Sequence, residues 1–193
     1  RPGWRYHPVP VQCMTGIPLY SDLHPFKLGP GPKGPGPFFP KGAFCLETFG
    51  NQCPLSGAAH LPVQVWESSV RATHHFLSEE DIRSLAVYVP QALAQVPVLV
   101  VAFSDQGIPV GFMGIDGTRL EMLFLSPDVR GTGLGRQLLQ RGIRRYGVTS
   151  LCVNEQNPQA LDFYLHMGFQ VRSRTETDSR AIPSLSFCMS LSG

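Results

Sequence analysis

Apolar and polar positions divide the chain near residue 60. Residues 1–60 show almost no periodicity, and residues 29–42 read GPGPKGPGPFFPKG. Because glycine and proline at this density favour neither a helix nor a regular strand, the pattern predicts a poorly ordered extension over residues 1–57. Within it, only residues 43–49, AFCLETF, are compatible with a short strand. The folded domain is expected over residues 58–193.

The first periodic segments of that domain are helical. Apolar residues recur at helical spacing over residues 65–73 and again over residues 82–89. Ser78 stands just before three acidic residues, an arrangement typical of a capping box at a helix start. Pro90 is expected to break or kink the second helix, with a short further turn over residues 91–94.

Apolar runs of strand length follow these helices. Residues 96–103 are apolar and rich in valine, and the sequence DQG at residues 105–107 signals a turn. Residues 109–116 are the expected hairpin partner, and residues 120–125 form the next strand. The short connections predict three antiparallel strands in series.

The rest of the chain alternates helices and strands. The predicted elements are a helix between Gly135 and Gly147, a strand over residues 150–154, a helix between Asn157 and Gly168, and strands over residues 169–178 and 184–191. Asn157 followed by Pro158 is typical of a helix start, because the side chain caps the helix and proline suits its first position. From residue 61 the predicted order is α-α-β-β-β-α-β-α-β-β.

Composition excludes several classes of function. A formal net charge of +2 gives no reason to expect a nucleic-acid partner. The five cysteines contain no C-x-x-C pair, so neither a zinc site nor a redox dithiol is expected. No apolar run approaches the roughly 20 residues of a membrane span, and prolines interrupt the N-terminal segment where a secretory signal would be apolar. The expectation is a cytoplasmic protein without metal or membrane, either a monomer or a homodimer.

A glycine loop, RGTGLG, occupies residues 130–135 between a strand and a helix. Such a loop offers free backbone N–H groups and the positive end of a helix dipole to an anion. It is not a P-loop, which needs a lysine after its last glycine, where Arg136 stands. Arg136 also replaces the third glycine of a Rossmann fingerprint, although Glu155 lies near the position of a ribose-binding acid. From these residues alone, a dinucleotide-binding module and a turn without a ligand both remain open.

A second motif lies in residues 151–169, which follow the pattern L-x-V-x-x-x-N-x-x-A-x-x-F-Y-x-x-x-G-F. Together the two motifs resemble the GNAT superfamily of N-acetyltransferases. The loop matches that family's R/Q-x-x-G-x-G/A element, and the segment from Asn157 through Tyr164 matches its second cofactor motif. The resemblance covers residues 61–191.

Three shorter stretches, residues 65–77, 127–135 and 153–156, are especially similar to the small bacterial YjaB-type acetyltransferases. The resemblance implies an α/β fold of the α+β type. Its central sheet would be mixed but mostly antiparallel and flanked by helices. A splayed pair of strands would form the acetyl-CoA cleft.

The resemblance also implies how acetyl-CoA binds as cosubstrate beside an amine acceptor. Backbone groups at the end of the strand over residues 120–125 would pair with the pantetheine arm, and one N–H would polarise the thioester carbonyl. N–H groups of the glycine loop would hold the pyrophosphate. The cofactor-binding residues implied are Leu123, Phe124, Leu125, Arg130, Gly131, Thr132, Gly133, Leu134, Gly135, Arg136 and Asn157.

Catalysis needs a base, because a free lysine amine has a pKa of about 10.4. Glu121, on the strand beside the implied cleft, is the candidate base; the alternative is an ordinary exposed strand residue. Tyr164, on the family motif, is the candidate acid for the departing thiolate. His74 and His75 lie between the first two helices, where they either bind substrate and relay a proton or serve as caps and surface residues. A catalytically silent fold that binds CoA is the remaining alternative.

Overall fold

The computed structural model of the chain describes residues 44–49, 60–177 and 184–191. Apart from residues 44–49, the predicted extension lies outside the described residues. Within these ranges the chain forms seven strands and five helices. The strands are β1 (Cys45–Phe49), β2 (Val98–Phe103), β3 (Pro109–Asp116), β4 (Arg119–Leu125), β5 (Ser150–Asn154), β6 (Phe169–Thr177) and β7 (Ser184–Leu191). The helices are α1 (His60–Thr73), α2 (Glu79–Ala86), α3 (Val89–Gln95), α4 (Leu134–Tyr146) and α5 (Pro158–His166).

Strand β1 belongs to the sheet, which therefore begins earlier in the chain than expected. It pairs antiparallel with β2, with Cys45 opposite Phe103 and Phe49 opposite Leu99. Because β1 lies inside the stretch assigned to the extension, a domain boundary at residue 58 would separate it from its own sheet. We therefore propose that the domain starts at or before residue 44.

Helix α3 replaces the short turn expected over residues 91–94. Pro90 lies in its first turn, and Val89, Ala92 and Leu93 are buried. Proline is tolerated in the first turn of a helix because the N–H that it lacks would have no partner there. Pro90 thus marks a helix start rather than the end of the helical region.

Local signals at the other helix ends are confirmed. The Ser78 side chain accepts a hydrogen bond from the N–H of Asp81, and the Asp81 carboxylate accepts one from the N–H of Ser78. Gly147 ends α4 in the left-handed conformation with φ of 70°. No helix in the described ranges is long and apolar enough to cross a membrane.

The sheet is mixed but mostly antiparallel, with the strand order β1-β2-β3-β4-β5-β7-β6. The parallel pair is β4 and β5, which are in register only at Arg119 with Ser150 and at Leu120 with Leu151. Beyond these two positions the strands separate. The predicted fold class and its splayed strand pair are therefore confirmed.

A β-bulge in β4 divides the strand between the two faces of the sheet. Met122 stands opposite Gly114 and Leu120 opposite Ile115, so Glu121 is an extra residue in β4. Leu120 packs with the buried side chains of α4 and α5, whereas Met122 packs with those of α1, α2 and α3. The bulge thus lies just where β4 leaves β5.

Candidate active site

A cavity of about 300 Å³ lies beside the end of β4, where that strand has left β5. Its walls come from the end of α1, the end of β4, the glycine loop with the start of α4, and α5 with its capping residue. The lining residues are Ser69, Thr73, His74, Leu123, Phe124, Leu125, Arg130, Gly131, Gly135, Asn157, Gln159, Ala160, Phe163 and Tyr164. Four elements, from three separate regions of the sequence, therefore meet at one site.

The free edge of β4 directs the backbone groups of two residues toward this cavity. The N–H of Ser126 donates to the carbonyl of Val110 at 2.8 Å, which fixes the alternation of hydrogen bonds between β3 and β4. In that alternation Phe124 exchanges its hydrogen bonds with β3. Leu123 and Leu125 direct their N–H and C=O groups to the opposite edge, which β5 leaves unpaired. Of the three residues predicted here, Leu123 and Leu125 therefore offer backbone partners, and Phe124 only lines the wall.

The glycine loop forms an open cradle at the start of α4. Gly131 and Gly133 have φ values of 75° and 88°, and a Cβ built on either would meet no atom within 4 Å. Gly135 differs, because a Cβ there would lie 3.1 Å from Leu125 Cδ1. Its missing side chain lets α4 start close against β4. The first N–H groups of α4 have no partner within the helix, so this end can bind an anion.

Several residues predicted in the loop are not in the cavity lining. The exposed Thr132 hydroxyl donates to the carbonyl of Val129 at 2.6 Å, and the Leu134 side chain is fully buried in the core. Arg136 is exposed, and Gly133, the N-cap of α4, is also outside the lining. The N–H of Thr132 donates to the carbonyl of Val129 at 3.4 Å, so the groups left to reach a phosphate are the N–H groups of Gly133, Leu134 and Arg136 and the exposed Arg136 side chain.

Helix α5 brings Asn157 and Tyr164 to the cavity. Asn157 Oδ1 accepts a hydrogen bond from the N–H of Ala160 at 3.1 Å, so its side-chain NH₂ group is not used in the cap. Tyr164 is only 2% exposed, and its ring packs edge-on against Phe163 and Phe169, with centroid distances of 5.2 and 6.1 Å. The position of its ring is therefore fixed on both sides.

His74 lies at the end of α1, buried on the opposite wall. Its Nδ1 is 2.8 Å from Thr73 Oγ1, and its ring packs against Phe76 with a centroid distance of 5.4 Å. Burial, together with the smaller effects of the positive charges of Arg130 and His75, lowers the pKa of His74 from its usual 6.5 to about 4. His74 is therefore neutral at pH 7. His75 is exposed and is not part of the cavity lining.

Glu121 is not among the residues that line the cavity. Its Oε1 lies 3.0 Å from Nε of Arg119, and its side chain is 10% exposed. Burial raises the pKa of Glu121; the positive charge of Arg119 opposes this, and the negative charge of Asp116 adds to it. The carboxylate thus forms an ion pair at the bulge through Oε1, and its Oε2 is buried without a hydrogen-bond partner among the described residues.

Five lining residues were not predicted: Ser69, Thr73, Gln159, Ala160 and Phe163. Ser69 and Thr73 are four residues apart on α1, and Ala160 and Phe163 lie on the face of α5 that also carries Tyr164. Helical spacing alone could have placed the two α1 residues on one helix face and the two α5 residues on another. It could not show that α1 and α5 face the same cavity.

The described residues fit acetyl-CoA at two points. The open cradle suits a pyrophosphate, because it combines free N–H groups with space that a side chain would fill. The free edge of β4 suits the amide groups of the pantetheine arm, because Leu123 and Leu125 offer unpaired backbone donors and acceptors.

Known proteins agree with this geometry. Residues 71–189 match the family described as acetyltransferase (GNAT) domain. Two proteins named peptidyl-lysine N-acetyltransferase YjaB, from Salmonella typhimurium and Escherichia coli, are each 42% identical over 121 residues; this is 63% of the present chain and 83% and 82% of theirs. The solution structure of apo-form YjaB from Escherichia coli covers 78% of this chain and 99% of its own, with 34% identity and a TM-score of 0.67. The chain therefore belongs to the GNAT family of acetyltransferases, enzymes that transfer an acetyl group from acetyl-CoA to an amine.

Proposed function

We propose that this chain transfers the acetyl group of acetyl-CoA to the side-chain amine of a lysine in a protein. The observation that carries the proposal is the meeting of three features in one cavity: the free edge of β4, the N-terminus of α4 and the buried Tyr164. The choice of lysine is supported by the names of the two YjaB relatives, which this chain matches over most of their length.

The cavity wall suits a lysine side chain. Leu123, Leu125 and Phe163 line it with apolar atoms, against which the methylene groups of a lysine can pack. His74 and Tyr164 lie in the same lining and offer polar groups to the amine and to the sulfur. A primary amine on an aliphatic stem is therefore the acceptor that this lining favours.

Binding of acetyl-CoA is assigned to three parts of the chain: the glycine loop, the end of β4 and the residue that caps α5. Backbone N–H groups of Gly131 and of residues 133–136 hold the pyrophosphate, with the guanidinium of Arg130 beside them. Leu123 and Leu125 hold the pantetheine arm through their backbone groups, and the Asn157 NH₂ group donates to it as well. When bound, acetyl-CoA supplies a thioester with an electrophilic carbonyl carbon and a thiolate leaving group.

Tyr164 is the proposed general acid. Its hydroxyl is the proton donor that α5 contributes to the cavity, and the rings of Phe163 and Phe169 fix its orientation. Proton donation to the departing sulfur avoids release of a free thiolate, and a positioned acid of this kind typically contributes about 10²- to 10⁴-fold in rate. Glu121, the base predicted from the sequence, forms an ion pair with Arg119 through Oε1, and its Oε2 has no hydrogen-bond partner among the described residues.

Ligand-dependent melting of the purified chain tests the binding part of this proposal. Acetyl-CoA at about 100 times its Kd should stabilise the folded chain by about 2.7 kcal/mol and raise the melting temperature accordingly. NAD at the same concentration should have no effect. Stabilisation by NAD but not by acetyl-CoA would instead select the dinucleotide-binding alternative.

A further inference from the structure

His74, Thr73 and Ser69 form a hydrogen-bonded chain on the acceptor side of the cavity. Thr73 Oγ1 lies 2.8 Å from the backbone carbonyl oxygen of Ser69 and 2.8 Å from Nδ1 of His74. All three residues line the cavity, although they belong to the end of α1 and not to the motifs that identify the cofactor site.

The direction of the hydrogen bonds in this chain is determined by chemistry. A backbone carbonyl can only accept, so the single hydroxyl proton of Thr73 must lie between Oγ1 and the Ser69 oxygen. The Thr73 oxygen is then an acceptor toward the histidine, and Nδ1 of His74 must carry the donated proton. A neutral His74 therefore has its lone pair on Nε2.

The surroundings of His74 keep that lone pair available. Within the described residues Nε2 has no hydrogen-bond partner. The titratable groups around the ring are His75, next in the chain, Arg130 from the glycine loop, and Tyr164 on the opposite wall. Because His75 and Arg130 disfavour a second positive charge, the pKa of His74 is lowered and the ring stays neutral well below pH 7.

We propose that Nε2 of His74 takes the proton from the acceptor amine, and that Thr73 positions His74 by fixing the tautomer in which this nitrogen is free. The proposal rests on the acetyltransferase function proposed above. As the new bond between the amine nitrogen and the acetyl carbon forms, one N–H bond of the amine breaks and its proton moves to Nε2. The carbon–sulfur bond breaks with its electron pair on sulfur, which takes the hydroxyl proton of Tyr164. The proton on His74 then returns to the Tyr164 phenolate through solvent, which restores the starting protonation states of both residues.

The ring nitrogens of His74 can be observed directly by ¹⁵N NMR on the full chain. The wild-type spectrum at pH 7 should show a protonated Nδ1 and an unprotonated Nε2. Thr73→Val should give a mixture of tautomers, and Thr73→Ser, which keeps the hydroxyl, should restore the wild-type pattern. A wild-type ring that carries its proton on Nε2 would overturn the inference, whatever the acceptor proves to be.

Rates measured with a lysine peptide test the role in turnover. His74→Gln should lower kcat by about 10²-fold with little change in the KM for acetyl-CoA. A histidine with a pKa of about 4 accepts a proton only from an amine that is already neutral, so kcat should rise with pH near neutrality in both proteins. The ratio of the wild-type kcat to that of His74→Gln should stay constant between pH 6 and 8. Thr73→Val should lower kcat by about tenfold, and Thr73→Ser should recover it.

His166→Gln is the matched control, because His166 is exposed at the end of α5 and, among the described residues, its side chain bonds only to the carbonyl of Asp162. It should leave kcat and its pH profile unchanged. Retained binding of acetyl-CoA shows that the His74→Gln variant is folded. A His74→Gln variant with wild-type kcat would overturn the proposal. Wild-type transfer to a different amine would contradict only the choice of lysine, and the variants would then be compared on that amine.

Discussion

Tyr164 shows at the scale of one residue how packing prepares a side chain for chemistry. Its hydroxyl is the atom proposed to act, whereas its ring belongs to the core. Tyr164→Phe removes the hydroxyl and keeps the ring contacts with Phe163 and Phe169. We therefore expect kcat to fall by about 10²-fold or more while the Kd for acetyl-CoA stays nearly constant.

Steady-state kinetics with a CoA-release assay, together with calorimetric binding of acetyl-CoA, separate these two effects for Tyr164→Phe. A variant with an unchanged kcat would remove Tyr164 as the acid. A variant that loses acetyl-CoA binding and turnover in equal measure would assign the hydroxyl to binding instead.

The buried, neutral His74 also makes stability depend on pH. Its pKa is about 4 in the folded chain and 6.5 when exposed, so the unfolded chain binds more protons between these values. Stability should therefore be unaffected above pH 6.5 and fall as the pH is lowered toward 4, by roughly 3 kcal/mol in all. Urea unfolding across this range measures the effect, and His74→Gln should flatten that part of the profile. Equal slopes for the two proteins would contradict the assignment to His74.

At the scale of elements, the glycine loop before α4 is the part of the site that can be tested most cleanly. Gly131 lines the cavity with φ of 75°, and Gly107, in the turn between β2 and β3, has φ of 74°. A Cβ on either would meet no atom within 4 Å, so both alanine substitutions carry a similar backbone strain of about 1–2 kcal/mol. Gly131→Ala should in addition weaken acetyl-CoA binding by about tenfold or more, because the strain shifts the N–H groups that face the phosphates.

Gly107→Ala is the control for that prediction: it should lower the melting temperature by a similar amount and leave the Kd for acetyl-CoA unchanged. Isothermal titration calorimetry with acetyl-CoA measures the Kd of both variants and of the wild type. Equal affinities for Gly131→Ala and the wild type would show that the loop does not hold the phosphates.

The helix ends that are specified by nearby residues could be predicted from the sequence. Features that depend on distant residues could not. The Ser78 capping box, the Asn157 cap and the Gly147 helix end all depend on residues within a few positions of one another, so the chain itself specifies them. Pro90 was misinterpreted, because proline both ends helices and suits their first turn. The bulge at Glu121 has no local signal, so the ion pair that Glu121 forms there with Arg119 could not be predicted from the sequence.

At the scale of the whole molecule, β1 completes the sheet. It covers the edge of β2, whose residues are buried except at the two ends. A chain that begins at Ala58 would leave that edge unpaired. Its free backbone N–H and C=O groups could then pair with another chain and cause aggregation. We expect it to be less stable and more prone to association than a chain that begins at Ala43, which should keep the melting temperature and acetyl-CoA affinity of the full chain. Size-exclusion chromatography and thermal melting compare the full chain with the chains that begin at Ala43 and Ala58. A chain from Ala58 with the elution volume and melting temperature of the full chain would contradict this role of β1.

The site depends on the same long-range assembly. Motifs near Gly131 and Asn157 indicated the cofactor because each is a continuous stretch of sequence. The acceptor side was only partly predicted: His74 was named, but its partners Thr73 and Ser69 were not. Their function depends on α1 packing beside the end of β4, and no pattern within α1 specifies that contact.

The most direct test of the central claim is the transfer of acetyl from acetyl-CoA to a lysine amine, followed by mass spectrometry. Two matched peptides are needed, one with a free lysine and a blocked N-terminus, the other with a free N-terminus and norleucine in place of lysine. The purified wild-type chain should acetylate the lysine of the first peptide, release one CoA for each acetyl transferred and leave the second peptide unmodified. Release of CoA no faster than in the absence of peptide, with both peptides unmodified, would contradict the proposed function.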